Sequence, residues 1–240
     1  MSLGRDGLDE ALFRLLRRLP TPLVSGFGGA LGRLIAARRA PEAVARARAA
    51  VALLRPDLGP AEQAALLDRA AENLGRLLAE HASLHRLWPE GRITFAGEEH
   101  VIAVVRAGTP VIGITCHTGN WEAIASAAHA FRLPLAVVYR PPRSALERRI
   151  AEQARARTGL RLLPPGLGSA VEAVRILEEK REFLGFFVDE SRGGELMAPR
   201  FGRPPTRRGN MAIAIRLALR HGAEILPVWS ERLPGPRFRV

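Results

Sequence analysis

Beyond Pro89 the chain alternates short, unbroken apolar runs with stretches of helical composition, and this rhythm limits the fold more than any other feature. The segment Pro110–Cys116 (PVIGITC) is the clearest run: rich in β-branched residues and without alternating polar positions, as in a strand covered on both faces. Ile93–Phe95, Leu135–Tyr139, Leu160–Leu163, Phe183–Val188 and Glu224–Val228 read as further strands, and Arg232 to Val240 as a strand hairpin. Between them lie helical stretches near Glu98–Ala107, Trp121–Phe131, Ala145–Thr158, Ser169–Lys180 and Asn210–His221, with a polar loop through Gly209 before the last. Strand–helix alternation over this length predicts an α/β layered domain, a mixed central sheet flanked by helices. Sites in such sheets collect at the carboxyl ends of the strands.

The first third is different. From Leu8 to about Leu87 alanine, leucine and arginine dominate, with breaks at Pro20–Pro22, at Pro41 and at Arg55–Pro60; a helix is expected from Pro60 to Leu87. The expected organisation is a helical, membrane-proximal region over 1–90 running into an α/β domain over 91–240, the two continuous. Leu19–Gly32 carries no charge but falls short of the roughly 20 residues that span a bilayer. Arginines at 17, 18 and 33 flank it, which suits a segment lying in a membrane interface. A hydrophobic helix hairpin packed on the core fits the same residues equally well.

The net charge is +12, and arginine supplies nearly all the positive charge, Lys180 being the one lysine. A positive excess attracts polyanions. No RNA-binding aromatic signature, zinc-finger spacing or helix-turn-helix pattern accompanies it, so an anionic membrane surface or an acidic protein is the expected partner rather than nucleic acid. One cysteine excludes a disulfide framework, and His81, His85, His100, His129 and His221 lack zinc-ligand spacing, so no metal is expected. No secretory signal is read at the N-terminus.

The chemistry concentrates in Thr115-Cys116-His117-Thr118-Gly119-Asn120-Trp121-Glu122. His117 sits where the buried strand ends, and Glu122 falls in the first turn of the next helix. On one helix the two side chains would diverge, whereas across a strand–turn–helix corner containing Gly119 they can meet. A carboxylate beside an imidazole fixes its tautomer and stabilises the imidazolium formed on proton abstraction. Such a pair could activate a substrate hydroxyl without a serine or cysteine nucleophile. A plain capping turn with a satisfied loop histidine is the alternative. Cys116, next in the strand, should point into the core, and Trp121 should pack behind the motif.

The segment His117–Glu122 (HTGNWE) resembles the signature of the bacterial lipid A biosynthesis acyltransferase family, and the likeness continues in order along the chain. Val138-Tyr139-Arg140-Pro141 resembles its tyrosine-arginine-proline segment, and Arg155-Ala156-Arg157-Thr158-Gly159 its arginine-glycine stretch. Phe186-Phe187-Val188-Asp189-Glu190 is similar to its apolar strand ending in aspartate. Phe201-Gly202-Arg203-Pro204, with Thr206 and Gly209, resembles its phenylalanine-glycine loop, and the helical region around Glu80 and Gly97–Glu98 also fits.

The resemblance implies transfer of a long-chain acyl group from an acyl carrier protein or CoA thioester to a hydroxyl of a lipid A precursor or related glycolipid. His117 would be the general base and Glu122 its partner, with Asn120, Arg140, Arg155 or Arg157, and Asp189 lining the substrate site; no cofactor is needed. It also implies a peripheral or monotopic position on the cytoplasmic face of the inner membrane. The departures bear on acceptor and attachment. Glu190 stands where the family commonly has glutamine, Arg200-Phe201 where it has two phenylalanines, and no clear N-terminal membrane helix is read. The chain also ends at Val240, earlier than the family suggests. Another acceptor, such as a phosphatidylinositol mannoside or an ornithine- or glycerol-based lipid, hydrolysis of the thioester, and a noncatalytic basic membrane-binding protein are the rival readings.

Overall fold

The computed structural model describes residues 11–39, 41–141, 145–156, 158–164, 166–179, 182–192, 195–197 and 207–240. Arg157, Lys180, Arg200, the Phe201-Gly202-Arg203-Pro204 segment and Thr206 lie outside them. Contacts divide the chain into two compact units, one running to Arg86 and including Pro234–Pro236, the other Leu87–Leu233 with Arg237–Val240.

The first unit is helical. Residues 11–16 form a short helical stretch that stops before Pro20, and helix α1 starts afresh at Thr21, running to Arg39. Pro22 falls in its first turn, where a missing N–H costs nothing. Pro41 opens α2 (Pro41–Leu54) and Pro60 opens α3 (Pro60–Glu80) in the same way. At the start of α3 the Glu62 carboxylate accepts the Gly59 N–H at 2.9 Å. This last helix ends at Glu80 rather than at Leu87. There the His81 ring bonds to the Leu77 carbonyl (3.0 Å) and the Ser83 hydroxyl donates to the Glu80 carbonyl (3.3 Å), so side chains take over the last carbonyls and a 3₁₀ turn, Leu84–Arg86, follows.

Helix α1 has two distinct faces. One lies backbone to backbone against α3: a Cβ on Gly75 would fall on the Gly28 carbonyl oxygen and 2.7 Å from the Gly32 Cα. Val24, Thr21 and Ser25 on this face are fully buried. Ser25 donates to the buried Glu80 at 2.7 Å and accepts from Arg76 at 3.0 Å. The opposite face exposes Leu23 (61%), Phe27 (45%), Leu31 (38%) and Leu34 (69%), spaced to form one apolar stripe. The uncharged segment therefore packs as a helix pair on its glycine side and presents apolar side chains to the outside on the other. No helix among the described residues is long and apolar enough to cross a membrane.

The second unit is built on a sheet of five parallel strands in the order β4-β3-β5-β2-β8: β2 is Val111–Thr115, β3 Leu135–Val138, β4 Arg161–Leu163, β5 Phe183–Phe187 and β8 Glu224–Pro227. Helices α4 (Glu98–Ala107), α5 (Glu122–Ala130), α6 (Ala145–Ala156), α7 (Leu167–Glu179) and α8 (Asn210–His221) alternate with these strands along the chain. Antiparallel pairing occurs outside the main sheet. β1 (Ile93–Thr94) runs parallel to β10 (Arg237–Arg239), which forms a hairpin with β9 (Glu231–Leu233), and β6 (Ser191–Arg192) pairs with β7 (Glu195–Leu196). The core centres on Ile112, Ala136, Leu184 and Phe186 of the sheet, packed against Ile176 and Leu177 of α7 and Ala214 of α8. Central strands buried on both faces explain why their sequences read as continuous apolar runs rather than alternating ones.

The glycine contact between α1 and α3 makes a direct expectation. Gly75→Val forces the two backbones apart and should destabilise the helical unit by about 1–3 kcal/mol, the usual cost of overpacking. Chemical denaturation followed by far-UV circular dichroism would check it, and an unchanged midpoint would show that the helices do not rely on this close approach.

Candidate functional site

The site forms where two neighbouring strands end. β2 and β5 pair in parallel with Thr115 opposite Phe187. Two residues beyond that pair on either strand stand His117 and Asp189, so the sheet register itself sets them side by side. Asp189 accepts from the His117 ring Nδ1 at 2.8 Å through one oxygen and from the His117 backbone N–H at 2.8 Å through the other. The ring is held from its faces as well. Phe187 stacks on it with centroids 4.3 Å apart, and Trp121 meets it edge-on at 4.7 Å. Trp121 thus packs on the motif histidine itself. The His117 side chain remains 44% exposed, so its far edge is open to a substrate.

The turn that carries His117 into α5 needs a glycine. Gly119 has φ +57°, and a Cβ there would strike the Ser230 carbonyl. Asn120, 1% exposed, then accepts the Glu122 N–H through Oδ1 at 3.1 Å, satisfying a donor of the first turn of the helix. Asn120 shapes the corner from within rather than presenting a side chain to solvent.

Glu122 is 4% exposed, and its carboxylate takes both bonds of a forked pair from Arg155 of α6, Nε at 3.0 Å and Nη2 at 2.5 Å. The hydrogen bonds thus fall differently from the sequence expectation. The carboxylate on the His117 Nδ1 belongs to Asp189, and Glu122 is turned to Arg155. The reason is geometric: Glu122 is the first residue of α5, on the side facing α6, whereas Asp189 comes off the strand next to β2.

Arg155 also lies over the Tyr139 ring, its Cζ 4.6 Å from the centroid. The Arg155 Nη1 and the Tyr139 hydroxyl are both buried, and the guanidinium and phenol interact with each other. Arg140 is exposed just past the end of β3. Arg155 is thus tied to Glu122 of the motif and to Tyr139, while Arg157 lies outside the described residues.

The electrostatics follow from these contacts. Partial burial pushes the Asp189 carboxyl up, but hydrogen bonds from the His117 ring and backbone outweigh it and hold Asp189 below its ordinary value. Burial works against the Arg155 charge, and the Glu122 hydrogen bond and charge overcome it, so the guanidinium is raised. Burial raises the Tyr139 phenol. The Cys116 thiol is raised by burial and then by the Asp189 charge, and its side chain packs against the sheet core, so it stays a thiol rather than a thiolate. No cluster of metal-ligating side chains occurs among the described residues.

A histidine at a strand end with a carboxylate on Nδ1 and a partly exposed ring can chemically serve as a proton acceptor. The family model for bacterial lipid A biosynthesis acyltransferases matches residues 7–238, and the chain belongs to that family. As a member it is an acyltransferase of lipid A-like substrates. No curated protein sequence matches it.

Because Asp189 is held below its ordinary value in the folded chain, its pairing adds stability wherever the unfolded carboxyl would be ionised. That contribution disappears as pH falls through the folded value. Asp189→Asn should lower the melting temperature at neutral pH, and the gap from wild type should narrow as the pH is taken below the ordinary carboxylate range. Thermal melts across that range would reveal it; a gap that stays constant would mean the aspartate is not held in its charged form by His117.

Proposed function

We propose that the chain transfers a long-chain fatty acyl group from an acyl thioester, carried by acyl carrier protein or CoA, to a hydroxyl of a lipid A precursor. His117 is the general base and Asp189 its orienting carboxylate. The observation that carries this reading is the 2.8 Å bond between the His117 Nδ1 and Asp189 beside an open ring edge. An ionised carboxylate only accepts, so in the neutral ring Nδ1 carries the hydrogen and Nε2 presents its lone pair. Nε2 takes the proton of the acceptor hydroxyl as its oxygen attacks the thioester carbonyl. The new C–O bond forms, the C–S bond breaks, and the departing thiolate takes the proton back from the imidazolium.

Glu122 supports the other half of the site by fixing Arg155. A guanidinium bound at two of its nitrogens is fixed in place, and its buried Nη1 lies with the Tyr139 hydroxyl as a pair of polar groups that keep hydrogen-bonding capacity beyond each other. An oxyanion or phosphate oxygen of the substrate would complete them. Asn120 holds the corner between His117 and Glu122, and Arg140 at the rim suits an anionic group of either substrate.

Label transfer from a radioactive acyl thioester to lipid A precursor tests this directly. Wild type should label the lipid, and a folded His117→Ala protein should be slower by about a hundred- to ten-thousand-fold. Thiol release at the same rate with and without acceptor lipid would instead make the enzyme a hydrolase.

The apolar stripe of α1, with Arg33 on the same helix 56% exposed, is the proposed membrane contact, laid in the interface of an anionic leaflet with the acceptor. In flotation with vesicles containing an anionic phospholipid, wild type should rise with the lipid. The Leu23→Glu, Phe27→Glu double variant should stay at the bottom with an unchanged melting temperature; flotation of the variant would place the contact elsewhere.

A further inference from the structure

We infer that Asn210, at the start of α8, is a positioning residue for the His117–Asp189 pair, acting through the end of β5 together with Glu190. The inference rests on the general-base reading above. Four consecutive residues leave β5 with their groups pointing two ways. Toward His117, Phe187 gives its ring and Asp189 its carboxylate. Toward α8, Phe187 gives its backbone carbonyl, which accepts from the Asn210 side-chain Nδ2 at 2.7 Å, and Glu190 gives its carboxylate, which accepts the Asn210 backbone N–H at 2.6 Å. A single residue of α8 therefore grips the chain on both sides of Asp189. Val188 between them donates its N–H to Thr115 of β2 at 2.9 Å, and the Glu190 carbonyl accepts the Met197 N–H at 2.9 Å.

The clamp fits local chemistry at each point. Asn210 is the first residue of α8, where N–H groups lack intrahelical acceptors and the helix end attracts negative charge. Glu190 answers both needs. It acts in place of a side-chain cap, because the residue ahead of the helix is Gly209 and provides none. Gly209 has φ +95°, and a Cβ there would come within 2.8 Å of the Met197 Cβ and 2.9 Å of the Glu190 Oε1, so a larger residue would be strained and would crowd the cap. Without the clamp, the backbone around Asp189 would be held among the described residues by the end of a five-residue strand, the Val188 bond to Thr115 and the short β6–β7 ladder. An orienting carboxylate is useful only while it holds the imidazole plane, and a shift of about 1 Å in such a group can cost on the order of a hundredfold in rate. Glutamine at position 190 could still accept the Asn210 N–H, whereas alanine could not.

The test combines turnover with a readout that does not need turnover. Acyl-transfer kinetics would be measured for Asn210→Ala, Glu190→Ala and Glu190→Gln, and for Asn210→Ala in the Asp189→Asn background. The clamp predicts that Asn210→Ala and Glu190→Ala lower kcat by about 10- to 100-fold with KM little changed, and that Glu190→Gln restores most of the rate. It also predicts that Asn210→Ala costs little more once Asp189 is already asparagine. Equal fold losses in both backgrounds would make Asn210 an independent structural residue and overturn the inference, as would an undiminished kcat. If wild type transfers no acyl group, so that the enzymatic reading itself fails, proton NMR of the His117 Nδ1–H still decides. This proton should be sharp in wild type and Glu190→Gln but exchange-broadened in a natively dispersed Asn210→Ala. A resonance equally sharp in Asn210→Ala would overturn the clamp.

Discussion

The parallel pairing of β2 with β5 is the constraint on which the site depends. With Thr115 opposite Phe187, the first residues beyond the two strands run on side by side, and His117 and Asp189 come together without any loop having to find the other. A shift of one residue in this register would turn one of the two side chains to the opposite face and separate the pair. The burial of both strands in the core supplies the energy that fixes the register, so apolar packing far from solvent determines the distance between two polar groups at the strand ends.

The site has two charge pairs with different tasks. His117–Asp189 is half exposed on its histidine side and suited to accept a proton. Glu122–Arg155 is nearly buried, with side chains 5% and 14% exposed and a forked geometry that compensates the loss of water around both charges. A buried pair of this kind is a poor acid or base because either group alone would leave an uncompensated charge. It makes a rigid post instead, with Glu122 engaged by Arg155 while Asp189 bonds to the His117 ring.

Much of the architecture is legible in the amino-acid sequence. The continuous apolar runs mark the sheet because β2, β3 and β5 are covered on both faces, and glycines bound the helices Glu98–Ala107 and Asn210–His221 at both ends. A helix between successive strands returns the chain to the same end of the sheet and so favours parallel neighbours; the main sheet is parallel throughout, and opposed strands occur outside it, as in the hairpin after Glu231. Helix α3 reads too long because alanine and leucine continue past Glu80, and only the hydrogen bonds from His81 and Ser83 show where it stops.

At the site, the polar residues stand out in the sequence, but their pairing does not. A spacing of four residues between His117 and Glu122 suggests a contact because nearness in sequence is all that a motif can show. Asp189 lies beyond another strand, and its partner follows from strand order, which the sequence does not carry. One signal could find it: His117 and Asp189 each follow the end of an apolar strand by the same short step, so adjacency of those strands would imply adjacency of the side chains. Phe187, Tyr139 and Asn210 carry no such signal. Phe187 is the last residue of its strand and Tyr139 reads as the last apolar residue of another, while Asn210 looks like an ordinary polar helix start. Each gains its part from a neighbour across the fold: the ring stacked on His117, the hydroxyl beside Arg155, and the amide that reaches back to β5. The His117–Asp189 pair is thus specified locally by polar residues at strand ends, while its precision is delegated to residues whose own sequence context is commonplace.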